Sequence, residues 1–175
     1  MLYWLTALSD GGDFFNLFRY ITFRAGGAFL TALLFGFFFG KPLINVLRKR
    51  QGKGQPIRSD GPEGHFSKAG TPTMGGSLIL GSILISTLLW GNLTNPYVWI
   101  VLLVTLGFGL IGFADDYLKV SQGSSDGVPG RLKLVFEAIV SAAAVFALVN
   151  VAPENLSTSV AVPFLKDFLI PLGGF

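Results

Sequence analysis

Three short runs in this sequence carry residues that could do chemistry. The first is Asp115-Asp116, adjacent carboxylates that directly follow an uncharged stretch. Paired acids suit a divalent cation, because Mg²⁺ takes oxygen ligands and commonly binds through one or two carboxylates plus substrate phosphates. Neighbouring residues on a helix point about 100° apart, so these two acids should do different jobs rather than chelate as a unit. The structural alternative is Lys119, which lies i+4 from Asp115 and i+3 from Asp116 and can pair with either. The second run is Lys68-Ala69-Gly70-Thr71-Pro72-Thr73-Met74-Gly75-Gly76. Thr71 suits an N-cap with Pro72 at the first helical position, and a helix start offers free N–H groups and partial positive charge to a phosphate. His65 and Lys68 add donors nearby, although a capped helix with glycines for packing accounts for the same residues. The third run is Arg131, Lys133 and Glu137. Lys133 and Glu137 have ion-pair spacing, yet basic residues at a helix start oppose the dipole and call for an acid or anion partner. Glu137 reads as a supporting residue.

The elements that must hold these residues are written in the composition. Of 175 residues, 51% are hydrophobic and only 13% charged, with a mean hydropathy of +0.60. A soluble domain carries about a quarter charged residues, so this chain cannot cover itself with ionic side chains. There are no cysteines, which excludes thiolate catalysis, a redox pair and Cys-ligated zinc. Spanning a bilayer takes about 20 mainly apolar residues, and four stretches qualify. They run from about Ile21 to Ile44, from Thr71 to Trp90, from Pro96 to Ala114 and from Leu134 to about Ala152. Phe164 to Phe175 reads as the start of a fifth. The first twenty residues, with Trp4, Phe14, Phe15, Phe18 and Tyr20, suit an interfacial segment, and Asp10 and Asp13 argue against a signal peptide. The fold class expected is an all-α polytopic membrane protein forming one membrane domain over residues 1–175.

Charge sets the orientation. Seven of the 13 Lys and Arg fall between Lys41 and Gly70, three more are Lys119, Arg131 and Lys133, and Gly91 to Asn95 has none. By the positive-inside rule the connections 45–70 and 115–133 are cytoplasmic and the N-terminus is periplasmic. The charge of +3 is thus topological, and nucleic acid is not needed to explain it. All three runs then share one membrane face. Gly36 and Gly40, with Gly107, Gly109 and Gly112, read as helix-packing positions.

The stretch Asp60-Gly61-Pro62-Glu63-Gly64-His65-Phe66-Ser67-Lys68 leading into Thr71-Pro72-Thr73-Met74-Gly75-Gly76, followed by Gly112-Phe113-Ala114-Asp115-Asp116-Tyr117, closely resembles the phospho-N-acetylmuramoyl-pentapeptide-transferase family. That family is a branch of the polyprenyl-phosphate N-acetylhexosamine-1-phosphate transferases. The resemblance covers essentially the whole chain and implies Mg²⁺-dependent transfer of phospho-MurNAc-pentapeptide from UDP-MurNAc-pentapeptide to undecaprenyl phosphate, giving lipid I and UMP. It further implies the bacterial inner membrane, with the bilayer as partner and a homodimer allowed. Carried over residue by residue, Asp115 and Asp116 match the acidic pair as catalytic and partial metal-site residues. Lys68, Thr73 and Lys133 match polar positions near the substrate phosphates. Ala69 stands where members often carry Arg. Members have about twice this length and ten helices, and their later Asp-rich and His-rich loops have no counterpart here. The expectation is an N-terminal half, inactive alone. A sister enzyme using UDP-GlcNAc and a non-catalytic membrane scaffold remain as alternatives.

Overall fold

A computed structural model describes residues 1–52, 72–123, 126–153, 159–161 and 169–171. Four helices carry the architecture: α1 (Ile21–Gln51), α2 (Gly76–Trp90), α3 (Pro96–Gln122) and α4 (Gly130–Val151). Three of them, α1, α3 and α4, are long and apolar enough to cross a membrane, and α2 is a shorter apolar helix of 15 residues. Two 3₁₀ segments, Leu2–Leu8 and Phe14–Arg19, precede α1.

The helices run alternately up and down, and each packs on its neighbours in sequence: α1 on α2, α2 on α3, α3 on α4. Small residues set the close approaches. A Cβ at Gly109 would lie 2.5 Å from Leu80 of α2, and one at Gly107 would lie 3.0 Å from Val140 of α4. Those two glycines pack as expected. Gly40 sits against Leu78, whereas Gly36 and Gly112 have nothing within 4 Å of a built Cβ. Gly27 meets the Trp90 ring, whose Nε1 donates to Thr31 Oγ1 at 2.9 Å. The expected interfacial segment closes over this same end. Phe18 is buried and stacks on Trp90 with ring centroids 6.0 Å apart, and the N-terminal amine donates to the Leu88 carbonyl at 2.9 Å. Arg24 lies over the Tyr3 ring at 4.8 Å.

α1 runs past Ile44 to Gln51 and α4 begins at Gly130 rather than Leu134, and three further features differ from expectation. α2 starts at Gly76 with Gly75 as its N-cap and no side-chain cap, so Pro72 lies outside the helix and Thr71 lies outside the described residues. The cause is local: Met74 adopts φ 72, a left-handed conformation that a continuing helix cannot contain. α3 does not stop at Ala114. It continues two turns to Gln122 and ends on Gly123 in the left-handed cap conformation. Asp is a weak helix former, but the Asp115–Lys119 ion pair spans the added turn, and the end of an apolar run marks the end of a span, not of a helix. Finally, part of the stretch expected to open a fifth helix is extended. β2 (Leu169–Pro171) pairs antiparallel with β1 (Ser159–Ala161), Val160 opposite Ile170. Pro171 removes a helix donor there, and β-branched Val160 and Ile170 favour a strand.

Candidate functional site

The continuation of α3 decides the geometry. About 19 uncharged residues from Pro96 cover about 28 Å of rise, close to the hydrocarbon thickness, so Asp115 and the last turns of the helix project past it. The helical rotation of about 100° between neighbours then turns the two acids to different partners. Asp115 faces the α3–α4 connection and Asp116 faces the entry to α2.

Asp115 is 7% exposed and fully engaged. Lys119 Nζ is 2.8 Å from its Oδ2, Lys133 Nζ is 2.8 Å from its Oδ1, and the Val128 N–H donates to Oδ1 at 2.8 Å. The same carboxylate therefore ties one helical turn of α3, the start of α4 and the connection between them. Gly127 is required for this contact, because a Cβ there would overlap Asp115 Oδ1 and lie 2.9 Å from Lys119 Cε. Lys133, which has ion-pair spacing to Glu137, reaches the acid of the neighbouring helix instead. A lysine in the first turn of α4 opposes that helix's dipole, and the buried carboxylate offsets it.

Asp116 is half-buried, and its Oδ2 accepts from Thr73 Oγ1 at 3.0 Å. Thr73 is itself held by Gln51, the last residue of α1, through its N–H and C=O. A groove of about 480 Å³ between α2 and α3 ends on the acid pair and is otherwise mostly apolar, with Met74, Leu80, Gly109 and Phe113 among its walls.

Of the residues singled out in the sequence, Asp115, Asp116, Thr73 and Lys133 meet at one end of the helices. Lys68 and His65 lie outside the described residues. Sequence reasoning passed over Gln51, Gly127 and the Val128 N–H. None of these has a motif of its own, and only the contact reveals it. Lys119 does occupy the structural position that its spacing allowed.

Among the described residues no three His, Cys, Asp or Glu side chains gather into a metal cage. Asp116 offers one carboxylate oxygen outside its bond to Thr73, while Asp115 has a lysine on each oxygen. This donor set fits Mg²⁺ only as the protein's share of a sphere completed by phosphate and other oxygens.

The comparisons with known proteins bear on this geometry. Residues 68–80 match the family model described as phospho-N-acetylmuramoyl-pentapeptide-transferase signature 1, a segment that contains Thr73, the Met74 turn and the first residues of α2. Proteins named phospho-N-acetylmuramoyl-pentapeptide-transferase align with nearly all of the chain. The one from Ruegeria sp. (strain TM1040) is 66% identical over 99% of this chain and 48% of its own length. That from Dinoroseobacter shibae is 60% identical over 98% and 48%, and that from Rhodopseudomonas palustris (strain BisA53) is 58% identical over 100% and 49%. The chain spans about half the length of the curated relatives it matches.

Proposed function

We propose that this chain, which belongs by sequence to the phospho-N-acetylmuramoyl-pentapeptide-transferase family, supplies one wall of a site that transfers phospho-MurNAc-pentapeptide from UDP-MurNAc-pentapeptide to undecaprenyl phosphate. The products are lipid I and UMP, and the site works at the cytoplasmic face of a bacterial inner membrane. The observation that carries this reading is the convergence of Asp115, Asp116, Thr73 and Lys133 at one helix end, beside the signature segment.

In this reaction a lipid phosphate oxygen attacks the phosphorus that carries the sugar. A new P–O bond forms, the P–O bond to UMP breaks, and a proton on the lipid phosphate has to be taken up. The residues divide that work. An arriving phosphate competes for Lys119 and Lys133, and each lysine that turns to it frees an Asp115 oxygen. Substrate binding thereby unmasks a carboxylate that can accept the proton. Both lysines stay within reach of the charge developing on the transferred group, where such donors are most effective. Asp116, oriented by Thr73, is the carboxylate that would hold Mg²⁺, which supplies charge neutralisation between donor and acceptor phosphates. The apolar groove keeps the acid pair beside hydrocarbon, as a lipid-borne phosphate requires.

The test is a chimera of this sequence with the remaining part of the Ruegeria sp. relative, placed in nanodiscs. UMP release and lipid I formation are expected with UDP-MurNAc-pentapeptide and undecaprenyl phosphate. Turnover with UDP-GlcNAc in its place would assign the chain to the sister reaction. No turnover with either donor in a folded chimera would leave a membrane scaffold as the better reading.

A further inference from the structure

Gln51 ends α1, outside every motif that drew attention to the sequence, yet it reaches the entry of α2. Its Nε2 donates to the Thr73 carbonyl at 3.1 Å, and its Oε1 accepts from the Thr73 N–H at 2.9 Å. A side-chain amide that matches both polar groups of one residue fixes that residue's rotation as well as its place. The outward consequence is the bond from Thr73 Oγ1 to Asp116 Oδ2 at 3.0 Å. Three helices are therefore linked in order: the end of α1, the approach to α2, and the acid on α3.

The backbone beyond Thr73 supports the same account. Met74 takes φ 72, which side chains other than glycine rarely adopt. Such a conformation persists where its surroundings over-determine it. On one side stands the Gln51 clamp. On the other, the Ser77 N–H and Oγ both donate to the Met74 carbonyl, at 3.1 and 2.7 Å.

We infer that Gln51 is a positioning residue for Asp116, acting through Thr73 and never touching substrate. The inference rests on reading Asp116 as a carboxylate of the transfer site. Gln51 holds the Thr73 hydroxyl on one oxygen of Asp116 and so leaves the other directed at the groove. Truncating Gln51 releases the Thr73 peptide, and the carboxylate rotates away from its productive orientation.

Two measurements test it. In the 175-residue chain in nanodiscs at neutral pH, the carboxyl ¹³C resonance of Asp116 reports its hydrogen bonding without any need for activity. Gln51→Ala should move that resonance in the direction that Thr73→Val moves it, the double variant should move it no further, and the Asp115 resonance should stay in place. In the chimera, Gln51→Ala should lower kcat about tenfold to a hundredfold, the size of losing one hydrogen bond to a charged group. KM for the UDP-sugar should change less than about twofold, as for an interaction realised in the transition state. Gln51→Glu, which keeps the acceptor but replaces the donor with a charge facing the Thr73 carbonyl, should behave like the alanine variant and is read in its place if that variant does not fold. An unmoved Asp116 resonance beside a moved one in Thr73→Val overturns the inference, and so does unchanged kcat in an active chimera. A chimera inactive before any substitution counts against the proposed function instead, and the resonance experiment still decides the role of Gln51.

Discussion

Asp115 and Asp116 are adjacent in sequence but live in different environments. Asp115 has a lysine on each oxygen and a backbone N–H besides. Breaking a buried ion pair by removing one partner is strongly destabilising because the other charge is left behind. Here the two lysines are partly exposed, so part of that cost is relieved by water. Asp115→Ala should therefore lower stability by about 1–3 kcal/mol, read from thermal unfolding in detergent. Asp115→Asn keeps the Val128 contact and fits the same space. It should insert normally in the chimera and abolish lipid I formation, and unchanged turnover would remove Asp115 from the transfer chemistry. Gly127→Ala tests the same cluster without touching an ionisable group. Its Cβ displaces the connection from Asp115 and breaks the Val128 N–H bond, which should reduce chimera turnover roughly tenfold. The residue types of this site were legible in the sequence, since acids and lysines at the edge of an apolar run need partners. Which partner each one takes was not legible: Lys133 was equally well placed for Glu137, and only the packing of α4 against α3 turns it to Asp115.

At the scale of elements, close approach of α1 and α2 depends on Gly27, because the Trp90 ring occupies the space a side chain would need, 2.5 Å from a built Cβ. Trp90 is also held by Thr31 and stacked on Phe18, so it cannot move without loss. Gly27→Ala should overpack this contact, lower stability by about 1–3 kcal/mol and alter Trp fluorescence. Gly109 differs, since its neighbour is the flexible end of Leu80 and Gly109→Ala should be milder. Hydropathy located the apolar helices, but helix ends escaped it. α3 runs on for two turns past its last apolar stretch, and α2 begins after the Met74 turn rather than at the Thr71-Pro72 signal. Hydropathy measures what lipid tolerates, whereas a helix end is fixed by backbone dihedrals and caps. The same gap explains the extended residues Leu169–Pro171, where an apolar run suggested a helix start.

The described helices form a row, each packed on the next in sequence, and the accessible surface is 12635 Å². A water-soluble monomer of this mass would expose about 8,300 Å². Large apolar side chains contribute to that surface, among them Phe37 at 80% and Phe146 at 71% exposure. Among the described residues only Phe18 and Leu102 are buried hydrophobics. In a bilayer these outward faces meet hydrocarbon, and exposure ceases to be a cost. The alternating row also makes a topological prediction that the absence of cysteine makes easy to check. Single cysteines at Gly52 and Gly123 should react with an impermeant thiol reagent from the same side of the membrane, and one at Asn92 from the other. Labelling of Gly52 and Gly123 from opposite sides would remove the basis of the proposed site.

Composition and charge distribution alone specified a membrane chain of apolar helices with its chemistry-bearing runs at one end, because the cost of placing charge in hydrocarbon is a property of residue type and holds wherever the residue folds. Only the tertiary structure could decide that Asp115 is neutralised by two lysines, that Asp116 is steered by Thr73, and that Gln51 stands behind both Thr73 and the turn at Met74. Those assignments depend on the rotation of one helix against the next, and that rotation comes from side-chain packing between segments that the sequence lists far apart.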